Sequence, residues 1–88
     1  MEKEILLKQG WLFKFEWNNV LKFEKGDVWK DDGQGAFLEV DVINKTIKIT
    51  TTDKGHNMDG PNYSVKFNGN CNDMETFKKI CDMINFKL

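Results

Sequence analysis

The stretch Trp11-Leu12-Phe13-Lys14-Phe15-Glu16-Trp17 constrains this chain more than any other. Aromatic rings stand at alternate positions, and charges fill two of the gaps. Successive side chains of a strand point to opposite faces. The spacing therefore places Trp11, Phe13, Phe15 and Trp17 on one side of a sheet. A row of rings in water is costly, so that side is expected to be the buried one. The row dictates a fold but names no chemistry.

The flanking pattern adds helices and further strands. Glu2 to Gln9 has room for two helical turns, with Gly10 just past their end. Asn18-Asn19 marks a turn, because Asn tolerates left-handed backbone angles. Charge suggests the register of this first hairpin. Trp17 against Leu21 sets Phe15 against Phe23, Glu16 against Lys22 and Lys14 against Glu24, around a three-residue loop Asn18-Asn19-Val20. Lys25-Gly26-Asp27 reads as a turn, Val28-Trp29-Lys30 as a short strand and Asp31 to Gly35 as a loop. Ala36, Leu38, Val40 and Val42 then alternate with more polar residues. Asn44-Lys45 turns the chain into Ile47 and Ile49, with Val42 expected against Ile47, Val40 against Ile49 and Asp41 against Lys48.

The polar stretch from Thr52 to Asn62 holds two glycines and the only proline, as a wide loop would. Tyr63, Val65 and Phe67 form one face of a last strand, and Asn68-Gly69-Asn70 reads as a turn. Asn72 is the expected N-cap of a final helix, with Glu75 completing a capping box and Asp73 in the first turn. Met74, Phe77, Ile80, Cys81, Ile84 and Leu88 follow helical spacing. The predicted fold is α+β. An antiparallel meander of about four to five strands carries a short N-terminal helix, and the C-terminal helix packs on the aromatic face.

Composition narrows the class further. The 88 residues make one small domain, expected to be marginally stable alone, so a homo-oligomer is anticipated. The net charge of -1 offers no dominant field for nucleic acid or an anionic membrane. All 13 basic residues are Lys, and Arg, the usual bidentate reader of phosphate and guanine, is missing. No apolar run approaches the roughly 20 residues that span a bilayer. The mixed-charge start and the short triplet Ile5-Leu6-Leu7 do not make a signal peptide. The two cysteines, Cys71 and Cys81, are accordingly expected to be reduced thiols in a cytoplasmic protein.

Chemistry-bearing residues are sparse. Asp53, His56 and Asp59 share the polar loop at three-residue spacing, which fits loop conformation better than a metal site. Asp27, Asp31 and Asp32 lack the alternation of a calcium loop. Cys81 sits on the apolar helical face. Cys71 precedes a helix start, where a thiol pKa can fall, but no neighbouring base accompanies it. The glycines fit no phosphate-binding loop, and no Ser sits in a nucleophile elbow. A non-enzyme without cofactor or metal is the expectation.

Binding remains. The second face of the sheet is expected to carry Leu12, Phe37 and Ile43 among Lys14, Lys22, Lys48 and carboxylates, with Trp29 nearby. That mixture fits either an interface or a face covered by the N-terminal helix. The expected contact residues are Trp29, Phe37, Lys48, Asp53, His56, Asn57 and Asp59. The short, Lys- and Asn-rich chain with its compact sheet and capped last helix resembles accessory proteins of phages and mobile elements. The leading expectation is therefore a binding protein that inhibits or modulates a host protein by occlusion. A small-ligand binder, holding a nucleotide between an aromatic ring and Lys, is the alternative. A nucleic-acid-binding sheet is a third, disfavoured by the missing Arg. The discriminating observation is whether Trp29 and one of the strand-one aromatics are exposed, and a flat mixed face would favour a protein partner. A deep aromatic pocket with converging Lys would favour a ligand.

Overall fold

A computed structural model describes residues 2–26, 35–53 and 62–86. In chain order the elements are α1 (Lys3–Lys8), β1 (Leu12–Trp17), β2 (Val20–Gly26), β3 (Gly35–Asp41), β4 (Thr46–Asp53), β5 (Asn62–Asn70) and α2 (Met74–Met83). The strands form one antiparallel sheet in the order β1-β2-β3-β4-β5, an α+β meander as the pattern predicts. Val28-Trp29-Lys30 and the Asp31–Gln34 segment lie outside the described residues.

The core forms on one face. Phe23, Leu38 and Ile49 stand side by side on the three central strands and are fully buried. Phe77 and Ile80 of α2 and Leu6 of α1 join the same cluster, so both helices lie on this face. Met74, Cys81 and Ile84 pack against it, as their helical spacing predicts. The N-terminal helix therefore does not cover the other face with its apolar side.

Helices of this length need tertiary support. Both end in the same device. After α1, Gly10 (φ 97°) donates to Leu7 O at 3.1 Å and Trp11 N donates to Leu6 O at 3.1 Å. After α2, Asn85 (φ 60°) donates to Asp82 O at 3.2 Å and Phe86 N to Cys81 O at 2.9 Å. Each is a Schellman cap, with a left-handed residue followed by an aromatic one. Those two aromatics stack: the rings of Trp11 and Phe86 lie 5.6 Å apart at 7°. Lys25 donates to Gln9 O at 2.8 Å, placing a cation at the carbonyl end of α1.

The first hairpin corrects the expected register. Asn18 (φ 49°) and Asn19 (φ 65°) form a two-residue loop that pairs Trp17 with Val20. Positive φ at both positions is the type I′ pattern, whose twist matches the strands. This moves the pairing by one residue from the charge-based register. A bulge between Phe13 and Phe15 shifts the pairing by one residue more, so Phe13, and not the expected Phe15, faces Phe23. Beyond the bulge, Phe15 stands opposite Lys22 and Trp17 opposite Val20. The four rings are thus split. Trp11 and Phe13 serve the core, whereas Phe15 and Trp17 turn to the opposite face.

The second hairpin is also offset. Val40 pairs with Ile47, Glu39 with Lys48 and Asp41 with Thr46, around a four-residue loop, Val42 to Lys45. Asp41 is the cause. Its carboxylate accepts from the amides of Ile43 (3.1 Å) and Asn44 (2.9 Å) and from the Asn44 side chain (2.9 Å). These local bonds fix an Asx-type turn earlier than Asn44-Lys45. The offset is two residues, so Ala36, Leu38, Val40, Ile47 and Ile49 keep the expected core face, whereas Val42, expected there opposite Ile47, is exposed in the turn.

Three expectations for the last third of the chain are corrected as well. A bulge between Val65 and Phe67 sends Phe67 to the core and leaves Tyr63 and Val65 on the other face. Asn68-Gly69-Asn70 continues β5 instead of turning. Its glycine makes room for a ring, since a Cβ on Gly69 would meet Phe67 Cζ at 3.2 Å. The N-cap of α2 is Asp73, whose Oδ1 accepts from Thr76 N at 2.7 Å, and not Asn72. Glu75 instead faces Lys79 one turn on, at 3.9 Å.

Candidate functional site

The face of the sheet opposite the helices can be read as rows across the strands. Trp17, Val20, Asp41 and Thr46 make the first. Phe15, Lys22, Glu39 and Lys48 make the second. Leu12, Glu24, Phe37, Thr50 and Val65 make the third. Gly26, Gly35, Thr52 and Tyr63 make the fourth.

Large apolar groups on this face are exposed at both edges. On β1, Leu12, Phe15 and Trp17 are 62%, 53% and 71% exposed. On β5, Tyr63 and Val65 are 55% and 54% exposed. Leu12 is there by simple alternation, whereas Phe15 and Trp17 on β1 and Tyr63 and Val65 on β5 are there because a bulge in their strand changed the alternation. The middle is polar and internally compensated. Lys22, Glu39 and Lys48 alternate in charge across neighbouring strands. Lys14, the extra residue of the first bulge, reaches Glu24 at 3.6 Å, so the pair expected from charge forms although the backbones are not opposed. Lys22 also bridges rings, its Nζ lying 4.7 Å from the Phe37 centroid and 5.7 Å from that of Phe15.

Of the contact residues expected from sequence, this face holds two. Phe37 is only 8% exposed, stacked against Tyr63 at 6.0 Å, so it is the floor of the face rather than a projecting anchor. Lys48 is half-buried, between Glu39 and Asn68. Asp53 closes β4 opposite Asn62, away from them along the strand. Trp29, His56, Asn57 and Asp59 lie outside the described residues. Ile43, expected on this face, sits exposed in the β3–β4 turn. The sequence reading missed Phe15, Trp17, Tyr63 and Val65. The one available signal was Asn18-Asn19, which favours a two-residue loop and hence a one-residue mismatch along β1.

Elsewhere the chemistry is quiet. Among the described residues, no three His, Cys, Asp or Glu side chains gather as a metal site. Burial pushes the Cys71 thiol pKa up, outweighing its hydrogen bond to Asp73 O at 3.5 Å, which favours the thiol over the reactive thiolate. Burial also raises Cys81, and the neighbouring Asp82 charge adds to it. Neither cysteine is in a disulfide. A cleft of about 310 Å³ lies beside Trp11, Lys25, Cys81 and Phe86, where Lys25 is already bonded to Gln9. Among the described residues, no helix is long and apolar enough to cross a membrane. Comparison with protein-family models, curated proteins and solved structures found no match.

Proposed function

We propose that this chain is a non-enzymatic binding protein that modulates a protein partner by occluding it, with the helix-free face of the sheet as its contact surface. The observation that carries this reading is the exposure of Phe15 and Trp17 on β1 and of Tyr63 and Val65 on β5, all on one face. Aromatic anchors among compensated charges are the usual make-up of protein interfaces. A nucleic-acid surface fits less well, because Lys14, Lys22 and Lys48 share the face with Glu24, Glu39 and Asp41 and leave no continuous basic track. The short Lys- and Asn-rich chain suits an accessory protein of a phage or mobile element that blocks a host protein.

The test pairs two surfaces. Wild type, the double variant Phe15→Ser/Trp17→Ser and a helix-side control, Lys79→Ser, are immobilised and challenged with host lysate. A partner held by wild type and the control should bind the double variant at least about tenfold more weakly, with thermal melting little changed. Equal retention by all three would move the contact surface away from this face.

A further inference from the structure

We propose that, in the free protein, a second copy of the same chain covers this face, in a two-fold dimer packed sheet against sheet. The proposal rests on reading the face as an interaction surface. The first argument concerns the edges. Both outer strands carry a bulge, and the extra residue is a lysine in each, Lys14 in β1 and Lys66 in β5. Bulges and edge lysines oppose strand-to-strand joining. Self-association by continuing the sheet is therefore blocked at both ends, and the open face is the surface that remains.

The second argument is charge. Three lysines (14, 22, 48) meet three carboxylates (24, 39, 41) on the face, so two copies do not repel as wholes. The register selects the symmetry axis. A two-fold parallel to the strands through β3 would set Glu39 on Glu39 and Lys22 on Lys48, which is repulsive. A two-fold across the strands, between the second and third rows, sets Lys22 over Glu24 and Phe15 over Leu12 of the other copy. The same axis lays the first row over the fourth, so Val20 meets Gly26, a position without a side chain. The same operation sets Glu39 over Phe37 and Lys48 over Thr50, so the opposed charges are Lys22 and Glu24, beside the apolar Phe15–Leu12 contact and the Val20–Gly26 fit.

Size sets the expected strength. Five strands about 4.8 Å apart and four rows about 7 Å apart span roughly 500–600 Å² before side-chain relief. A standard interface takes about 800 Å² per partner, so the dimer should be a weak one, populated in the micromolar range.

Sedimentation equilibrium up to about 200 µM tests this. Wild type should dimerise. Phe15→Ser/Trp17→Ser should be monomeric, Lys22→Glu should dimerise at least about tenfold more weakly, and Lys22→Glu/Glu24→Lys should regain affinity. Filtered NOEs on mixed-label wild type, between the Phe15 ring and a Leu12 methyl of the other copy, provide a readout independent of variant folding. A monomeric wild type at the highest concentration, a dimer that survives Phe15→Ser/Trp17→Ser, or a charge swap no better than Lys22→Glu overturns the dimer. If wild type is monomeric but the serine variant still loses a lysate partner, only the dimer falls and the protein-binding reading stands.

Discussion

At the scale of single residues, position relative to a bulge matters more than residue type. Phe15 and Phe77 are the same side chain in opposite surroundings. Phe77 is fully buried, edge-on to Trp11 at 6.4 Å, and Phe77→Ala should cost roughly 3–5 kcal/mol. Phe15 is half-exposed, and Phe15→Ala should cost well under about 1.5 kcal/mol in chemical denaturation. Equal losses would return Phe15 to the core. Asp73 is the second informative residue. The Thr76 amide donates to its carboxylate and lowers its pKa below the ordinary 3.8. Because the folded pKa is the lower one, the unfolded chain takes up its proton first as pH falls. The cap therefore supports folding fully above the ordinary carboxylate pKa and loses that support on acidification through the folded value. Asp73→Ala should lower the melting temperature at neutral pH by more than Asn72→Ala. The gap between wild type and Asp73→Ala should narrow as pH falls below the ordinary carboxylate pKa. A pH-independent gap would assign the loss to packing instead.

At the scale of elements, turns set the registers and bulges absorb the mismatch. Asn18 and Asn19 both occupy left-handed angles, which fixes a two-residue loop. Asn19→Gly should preserve or raise stability, whereas Asn19→Val should cost about 1–2 kcal/mol, because a β-branched residue tolerates that angle poorly. Urea melts of the two variants check this, and equal midpoints would place the loop elsewhere. Much of this scale was legible in the sequence. The terminal-helix stripe from Met74 to Ile84, the alternation of Ala36, Leu38 and Val40 with Ile47 and Ile49, and the glycine after α1 occur as read, whereas Val42 falls in the turn and Leu88 lies outside the described residues. The hairpin registers were not legible, for two physical reasons. Cross-strand charge pairs are weak, about 0.2–1 kcal/mol each, and yield to turn geometry. Asp41 also satisfies the chain locally through three hydrogen bonds that hydrophobic patterning does not reveal.

At the scale of the whole molecule, the sheet has a firm centre and modified margins. Phe23, Leu38 and Ile49 on β2, β3 and β4 are fully buried, whereas β1 and β5 expose most of their residues. Amide exchange should be slowest in these three central strands and faster in β1 beyond its bulge and along β5. Uniform protection would mean that the margins are as firmly held as the centre. The candidate site belongs to this scale, and that explains why so little of it was readable in advance. Local pattern fixed the helical stripe, the existence of the strands and the α+β class, because periodicity and turn chemistry act over a few residues. It also fixed the need to bury Trp11, Phe13, Phe23 and Phe77. Which face each remaining ring takes depends on two one-residue bulges. Those arise only when a hairpin of set loop length must also deliver its neighbours to a shared core. A bulge reverses the alternation beyond it, so tertiary structure alone turned Phe15, Trp17, Tyr63 and Val65 outward and made an open face from residues whose pattern reads as core.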